Sequence, residues 1–96
     1  MTSLSILHNE AEQKFSVQLP EGEAFLRYAK REKCLNFLHT FVPEAERNKG
    51  VAEQIVLAGF QYAQVHGLKV IPTCPYVAHA FLRRHSEFQP LVTSTC

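Results

Sequence analysis

The sequence predicts an α/β (α+β) fold, in which a mixed, mostly antiparallel sheet is closed by one βαβ unit and flanked by helices. Three observations carry that expectation. Before residue 43, apolar and polar residues alternate in short runs separated by polar turns, the pattern of half-buried strands. Between 47 and 66 the apolar spacing changes to steps of three and four, the period of an amphipathic helix. A short apolar run, Leu68-Lys69-Val70-Ile71, then follows Gly67 and is stopped by Pro72.

Residues 4–8 form a brief extended segment, and Lys14 to Leu19 alternate as a strand should. Pro20-Glu21-Gly22-Glu23 punctuates them as a turn. Residues 24–30 and 34–42 read as two more strands joined by charged residues, which makes the first half an antiparallel meander. In the helix, Val51, Ala52, Ile55, Val56, Gly59, Phe60 and Ala63 share one face, and Gly67 caps its end. A second helix starts near Pro75, a residue suited to a first helical turn, and buries Val77, Ala78, Phe81 and Leu82. The last residues, 93–96, read as frayed.

Strand 34–42, helix 47–66 and strand 68–72 make a crossover unit, so the two strands run parallel and their carboxyl ends share an edge. Ligands of open α/β sheets bind at such edges. Here the edge gathers Val42-Pro43, the basic turn 47–52 and Thr73-Cys74-Pro75. The first turn of a helix has four N–H groups without intrahelical partners and carries roughly half a positive charge. Gly50 has no Cβ to hold an anion away from the main chain, and Arg47 and Lys49 add formal charge, so the turn is an expected phosphate cradle. It is neither a P-loop nor a dinucleotide fingerprint, because both need a different glycine spacing.

The arrangement Arg-x-x-Gly-x-Ala at 47–52 resembles the pyrophosphate-binding motif of the GNAT superfamily of acetyl-CoA-dependent N-acetyltransferases. The segments His39-Thr40-Phe41-Val42-Pro43, Gly67 to Tyr76, and Arg84-His85-Ser86-Glu87-Phe88 resemble, in order, the signatures of one small branch of it. The resemblance spans residues 4–92 and implies a minimal GNAT-like domain. It implies that Asn48, Lys49, Gly50, Val51 and Ala52, with Arg47, hold the diphosphate of acetyl-CoA, and that the pantetheine arm lies along Phe41 and Val42 as an added strand would. Asn48 stands where the branch more often has glycine, and asparagine tolerates the left-handed backbone such a turn requires.

The chemistry expected at this site is transfer of an acetyl group to a primary amine. The resemblance makes Cys74 a candidate transfer centre, and a thiol is activated where a helix N-terminus or a cation lies close; the bland alternative is a small buried apolar residue. His39 is a candidate base, since imidazole titrates near neutral pH, against the alternative of a buried, hydrogen-bonded histidine. The glutamate base usual in the superfamily has no counterpart on this strand, and Phe81 occupies the helix where many relatives carry a proton-donating tyrosine. Tyr76 is the candidate in its place. Arg83, Arg84 and His85 read as complements to a helix C-terminus. Tyr28 and Tyr62 read as packing residues, and His8, His66 and His79 carry no site signal. A non-catalytic CoA-binding module, and a redox protein built on Thr73-Cys74-Pro75, are the competing functions.

Ninety-six residues make one domain, 1–96, with room for one modest core and one site. A net charge of +1 gives no broad field for nucleic acid or an anionic membrane. No basic-then-apolar leader opens the chain and no apolar run approaches the ~18 residues of a membrane span, so a cytoplasmic protein is expected. Three cysteines, an odd number at 34, 74 and 96, point to reduced thiols, and the scattered histidines to no metal. The expected partners are acetyl-CoA and an amine acceptor of unknown identity, with the chain a monomer or homodimer.

Overall fold

In the computed structural model, which describes residues 4–96, five strands form one sheet in the order β1-β2-β3-β4-β5. The expected absence of a leader concerns the first residues of the chain, of which 1–3 lie outside the described residues. The strands are β1 (Leu7–Asn9), β2 (Lys14–Leu19), β3 (Gly22–Arg31), β4 (Cys34–Phe41) and β5 (Lys69–Ile71), and the long helix α1 is Val51–Val65. The first four strands pair antiparallel, with Pro20-Glu21 and Glu32-Lys33 as two-residue turns, and β5 joins β4 in parallel. The mixed, mostly antiparallel sheet closed by a βαβ unit is therefore as the sequence predicts.

The elements differ from expectation at their ends. The first strand begins at Leu7 rather than Leu4, and β3 reaches Arg31. Helix α1 begins at Val51 rather than Arg47, because Asn48 (φ 66°) and Gly50 (φ 78°) take left-handed backbone that an α-helix cannot contain. Its other end is as predicted. Gly67 (φ 67°) closes a Schellman cap, with Leu68 N–H donating to the Ala63 carbonyl at 2.8 Å and Gly67 N–H to that of Gln64 at 3.4 Å.

Helix α1 buries Val51, Ile55, Val56, Gly59, Phe60 and Ala63 against one face of the sheet, where Leu26, Leu35 and Phe37 wait. Gly59 permits the closest approach: a Cβ there would stand 2.9 Å from Cζ of Phe37 and 3.1 Å from Cδ2 of Leu26. Phe60 is flanked by Phe37 edge-on at 5.2 Å and by Phe81 stacked at 5.2 Å. After β5, a π-helical segment (Tyr76–Phe81) runs into the short helix α2 (Leu82–Arg84) and a 3-10 segment (Ser86–Leu91), all packed on the same side.

Two departures come from long-range contacts. Cys34 and Cys96 are joined in a disulfide, with Cα atoms 5.9 Å apart, so Cys74 is the one free cysteine. The C-terminal segment runs beside β5, with Thr93 N–H donating to the Val70 carbonyl at 2.9 Å, and this delivers Cys96 to the start of β4. Residues 93–96 are pinned rather than frayed, and the expectation of three reduced thiols is corrected. The second departure lies inside β4, where the register with β3 slips by one residue between Arg27 and Tyr28. The slip is a β-bulge. Leu38 and His39 both fall on the face away from α1, and Thr40 takes the inner position that strict alternation would give to His39.

Candidate functional site

The site is made by a separation of two parallel strands. β5 pairs with β4 only from Cys34↔Lys69 to Asn36↔Ile71, after which Pro72 turns the chain away. Cys74 N–H donates to the Phe37 carbonyl at 2.9 Å, and from there β4 continues to Phe41 without a strand on that side. The bulge at 38–39 adds to this divergence, since a bulged strand bends.

Into the gap opens a cleft of about 470 Å³, lined by the end of β4, the turn after it, the first residues of α1, and Tyr76 and Arg84 across from them. That volume is in the range of small-molecule sites, about 300–1,000 Å³. Every residue expected at the CoA loop is on its wall except Lys49, which holds the buried Glu46 at 3.3 Å. Arg47 does not reach outward: its Nε donates to the Val42 carbonyl at 2.8 Å, and this fastens the turn to the strand end.

At the mouth of α1, the main-chain N–H groups of residues 48–53 meet no acceptor among the described residues, and no side chain caps the helix. Gly50 has nothing within 4 Å of where a Cβ would be, so its positive φ, not packing, is what calls for glycine. A row of free donors on a left-handed turn, beside open space and at the positive end of a fifteen-residue helix, suits a diphosphate.

Of the candidate catalytic residues, Tyr76 and His39 line the cleft and Cys74 stands behind it. Cys74 is 4% exposed, and its thiol meets the cleft through Thr40, whose Oγ1 is 3.4 Å from Sγ. Burial, reinforced by the Glu53 carboxylate, pushes the Tyr76 phenol above its ordinary pKa, with Arg84 opposing. His39 sits at the rim on the outer face, 6.1 Å from the Phe25 ring. Phe81 is fully buried between Phe60 and His85.

One cluster was not foreseen. Glu53, in the first turn of α1, bonds Nε2 of His85 at 2.5 Å and accepts from Nη1 of Arg84 at 3.3 Å. Arg84 and His85 thus tie the C-terminal helical segment to the mouth of α1, where the sequence suggested only helix capping. An acidic residue in a helix's first turn was visible, but nothing in the sequence joined it to a histidine 32 positions on.

The fold and cleft define an α/β domain in which the mouth of the long helix and two parted parallel strands open onto one cleft. Residues 14–91 match the family described as GCN5-related N-acetyl-transferase, and the chain belongs to that family. It is 30% identical to Protein NATD1 of Xenopus tropicalis over an aligned stretch of 79 positions, a match that covers 79% of this chain and 72% of that one. Its fold is also that of a GCN5-like protein from Staphylococcus aureus solved by NMR, with a TM-score of 0.74, 24% identity, and coverage of 100% of this chain and 94% of the other. The family is one of acetyl transfer, from a donor to an acceptor. No helix among the described residues is long and apolar enough to cross a membrane.

Proposed function

We propose that this chain is an N-acetyltransferase that takes acetyl-CoA in the cleft and moves its acetyl group to a primary amine. The observation that carries this is the set of unpartnered N–H groups at residues 48–53, opening onto the gap between β4 and β5. The donor supplies an acetyl group activated as a thioester. Residues 48–52 hold its diphosphate, with Lys49 adding charge nearby and Arg47 keeping the turn in place. The end of β4 at Phe41, with Val42 just after it, lies along its amide-bearing arm.

His39 takes the proton from the acceptor ammonium, and the freed amine attacks the acetyl carbonyl. The new C–N bond forms as the C–S bond breaks, Tyr76 gives its proton to the departing thiolate, and the resulting phenolate takes the second proton that the acylated nitrogen sheds. Burial raises the Tyr76 pKa, so the phenol holds its proton until the thiolate forms. Holding both reactants at the parted strands supplies much of the rate.

The bond between Thr40 and Cys74 favours a second route. In it the Cys74 thiolate takes the acetyl group, CoA leaves as the thiol, and the amine then displaces Cys74 to give the amide. A CoA-binding module without turnover is the alternative from outside enzymology, and it binds the donor but releases no free thiol.

Thermal unfolding with acetyl-CoA tests the assignment. Ligand at about 100 times its dissociation constant adds about 2.7 kcal/mol of stability. An unchanged midpoint at millimolar acetyl-CoA removes the proposal, and a shift without thiol release across a panel of amines leaves the binding module.

A further inference from the structure

Among the described residues, no helix lies on the face of the sheet away from α1. Helix α1 packs on β2 to β5 from one side, and the segments after β5 join the same core as Phe37 and Phe60. On the open side, two cross-strand pairs of β3 and β4 make a compact patch, Phe25↔Phe41 and Arg27↔His39. The Phe25 ring is 5.6 Å from Phe41 and 6.1 Å from His39, and the Arg27 guanidinium lies over it at 5.5 Å. Phe41 is 38% exposed, high for a phenylalanine in a sheet.

His39 and Phe41 belong to the patch and to the cleft wall at once, so the two surfaces are continuous at the parted strands. The bulge makes that continuity, because it places His39 outward beside Arg27. The charges on the patch are unequal. Lys14, which also lies over Phe25, is met by Glu12 at 3.2 Å and Glu23 at 3.1 Å. Arg27 has no acidic partner among the described residues.

We propose that this patch seats the acceptor, and that the acceptor is an amine bearing both an apolar or aromatic group and a carboxylate. This rests on the transferase reading above and names its substrate class. The phenylalanine pair takes the apolar group, and the guanidinium fork of Arg27 matches a carboxylate in two hydrogen bonds. A polyamine meets Arg27 as a like charge, and a plain apolar amine leaves that charge unused. The acceptor amine then lies beside His39 at the cleft. A free amino acid and the C-terminal residue of a short peptide share this chemistry.

NMR titration of the CoA-saturated protein with L-phenylalanine, the dipeptide Ala-Phe, L-phenylalaninamide and spermidine tests it. At least one of the two acids binds roughly tenfold or more tightly than the amide, as a charge-assisted pair implies. That preference disappears in Arg27→Gln, and shifts centre on Phe25 and Phe41. Equal affinity for acids and amide, a preference that survives Arg27→Gln, or tighter binding of spermidine overturns the proposal. The donor is tested separately by the acetyl-CoA thermal shift of the unaltered chain. A protein that shifts with acetyl-CoA but does not separate acid from amide keeps its transferase assignment and loses this acceptor class.

Discussion

The hydroxyl of Thr40 lies 3.4 Å from the thiol of Cys74 and joins the inner face of β4 to the turn after β5 where the two strands part. Thr40 lines the cleft and Cys74 does not. Direct attack by the amine therefore predicts that Cys74→Ser keeps its turnover within a few-fold, with no acetylated protein detected by intact mass after mixing with acetyl-CoA. An adduct confined to the unaltered thiol, with turnover lost in the serine variant, would establish the two-step route.

Gly50→Ala separates binding from folding. With no atom within 4 Å, the added methyl meets nothing in the protein, and only its φ of 78° resists, at a cost of about 1–2 kcal/mol. The same methyl enters the open space beside the turn that carries the free N–H groups, so acetyl-CoA affinity should fall by more than the loss of stability accounts for. Calorimetry at a temperature where the variant is fully folded distinguishes the two.

Gly59→Ala should do the reverse. Its Cβ would press on Phe37 and Leu26, which are fully buried and cannot retreat, and overpacking of this kind costs about 1–3 kcal/mol. Urea unfolding should show the loss, with acetyl-CoA binding to the folded fraction unchanged.

His8 is a source of pH dependence away from the cleft. It stacks on Phe15 at 4.0 Å, bonds the Tyr28 hydroxyl at 2.5 Å, and burial lowers its pKa below 6.5, with Glu10 opposing and His66 adding to the effect. The unfolded chain therefore binds the proton more readily than the folded one. Stability from this group is complete above pH 6.5 and is lost as pH falls through the lowered value. Melting curves from pH 7.5 to 5 should fall more steeply for the unaltered chain than for His8→Gln. Tyr28, pushed up to about 12 mainly by burial, stays protonated throughout.

Reducing the Cys34–Cys96 bond frees a loop whose ends are 62 positions apart in sequence. Chain entropy assigns such a closure about 4 kcal/mol, so Cys96→Ser should unfold at a markedly lower temperature, measured against the oxidised chain without reductant. Equal midpoints would mean that the bond constrains little in the unfolded chain.

The parts of the fold that rest on local chemistry were legible. The spacing of Val51, Ile55, Val56, Phe60 and Ala63 marked α1, Gly67 marked its end, and crossover geometry made β4 and β5 parallel neighbours. The parts that rest on distant contacts were not. No glycine or proline announces the bulge at Leu38-His39, which follows from how β4 fits β3. The bond of Glu53 to His85 and the pairing of Cys34 with Cys96 depend on where the chain returns, which residue patterns do not state.

The union of Cys34 and Cys96 makes the chain between them a covalent ring, and every residue lining the cleft, from His39 to Arg84, lies inside it. β1, β2 and β3 hang from that ring as an open arm held by hydrogen bonds and packing alone. One protease cut within the ring leaves both pieces attached, whereas a cut at Glu32-Lys33 detaches the arm and leaves the cleft-bearing circle whole.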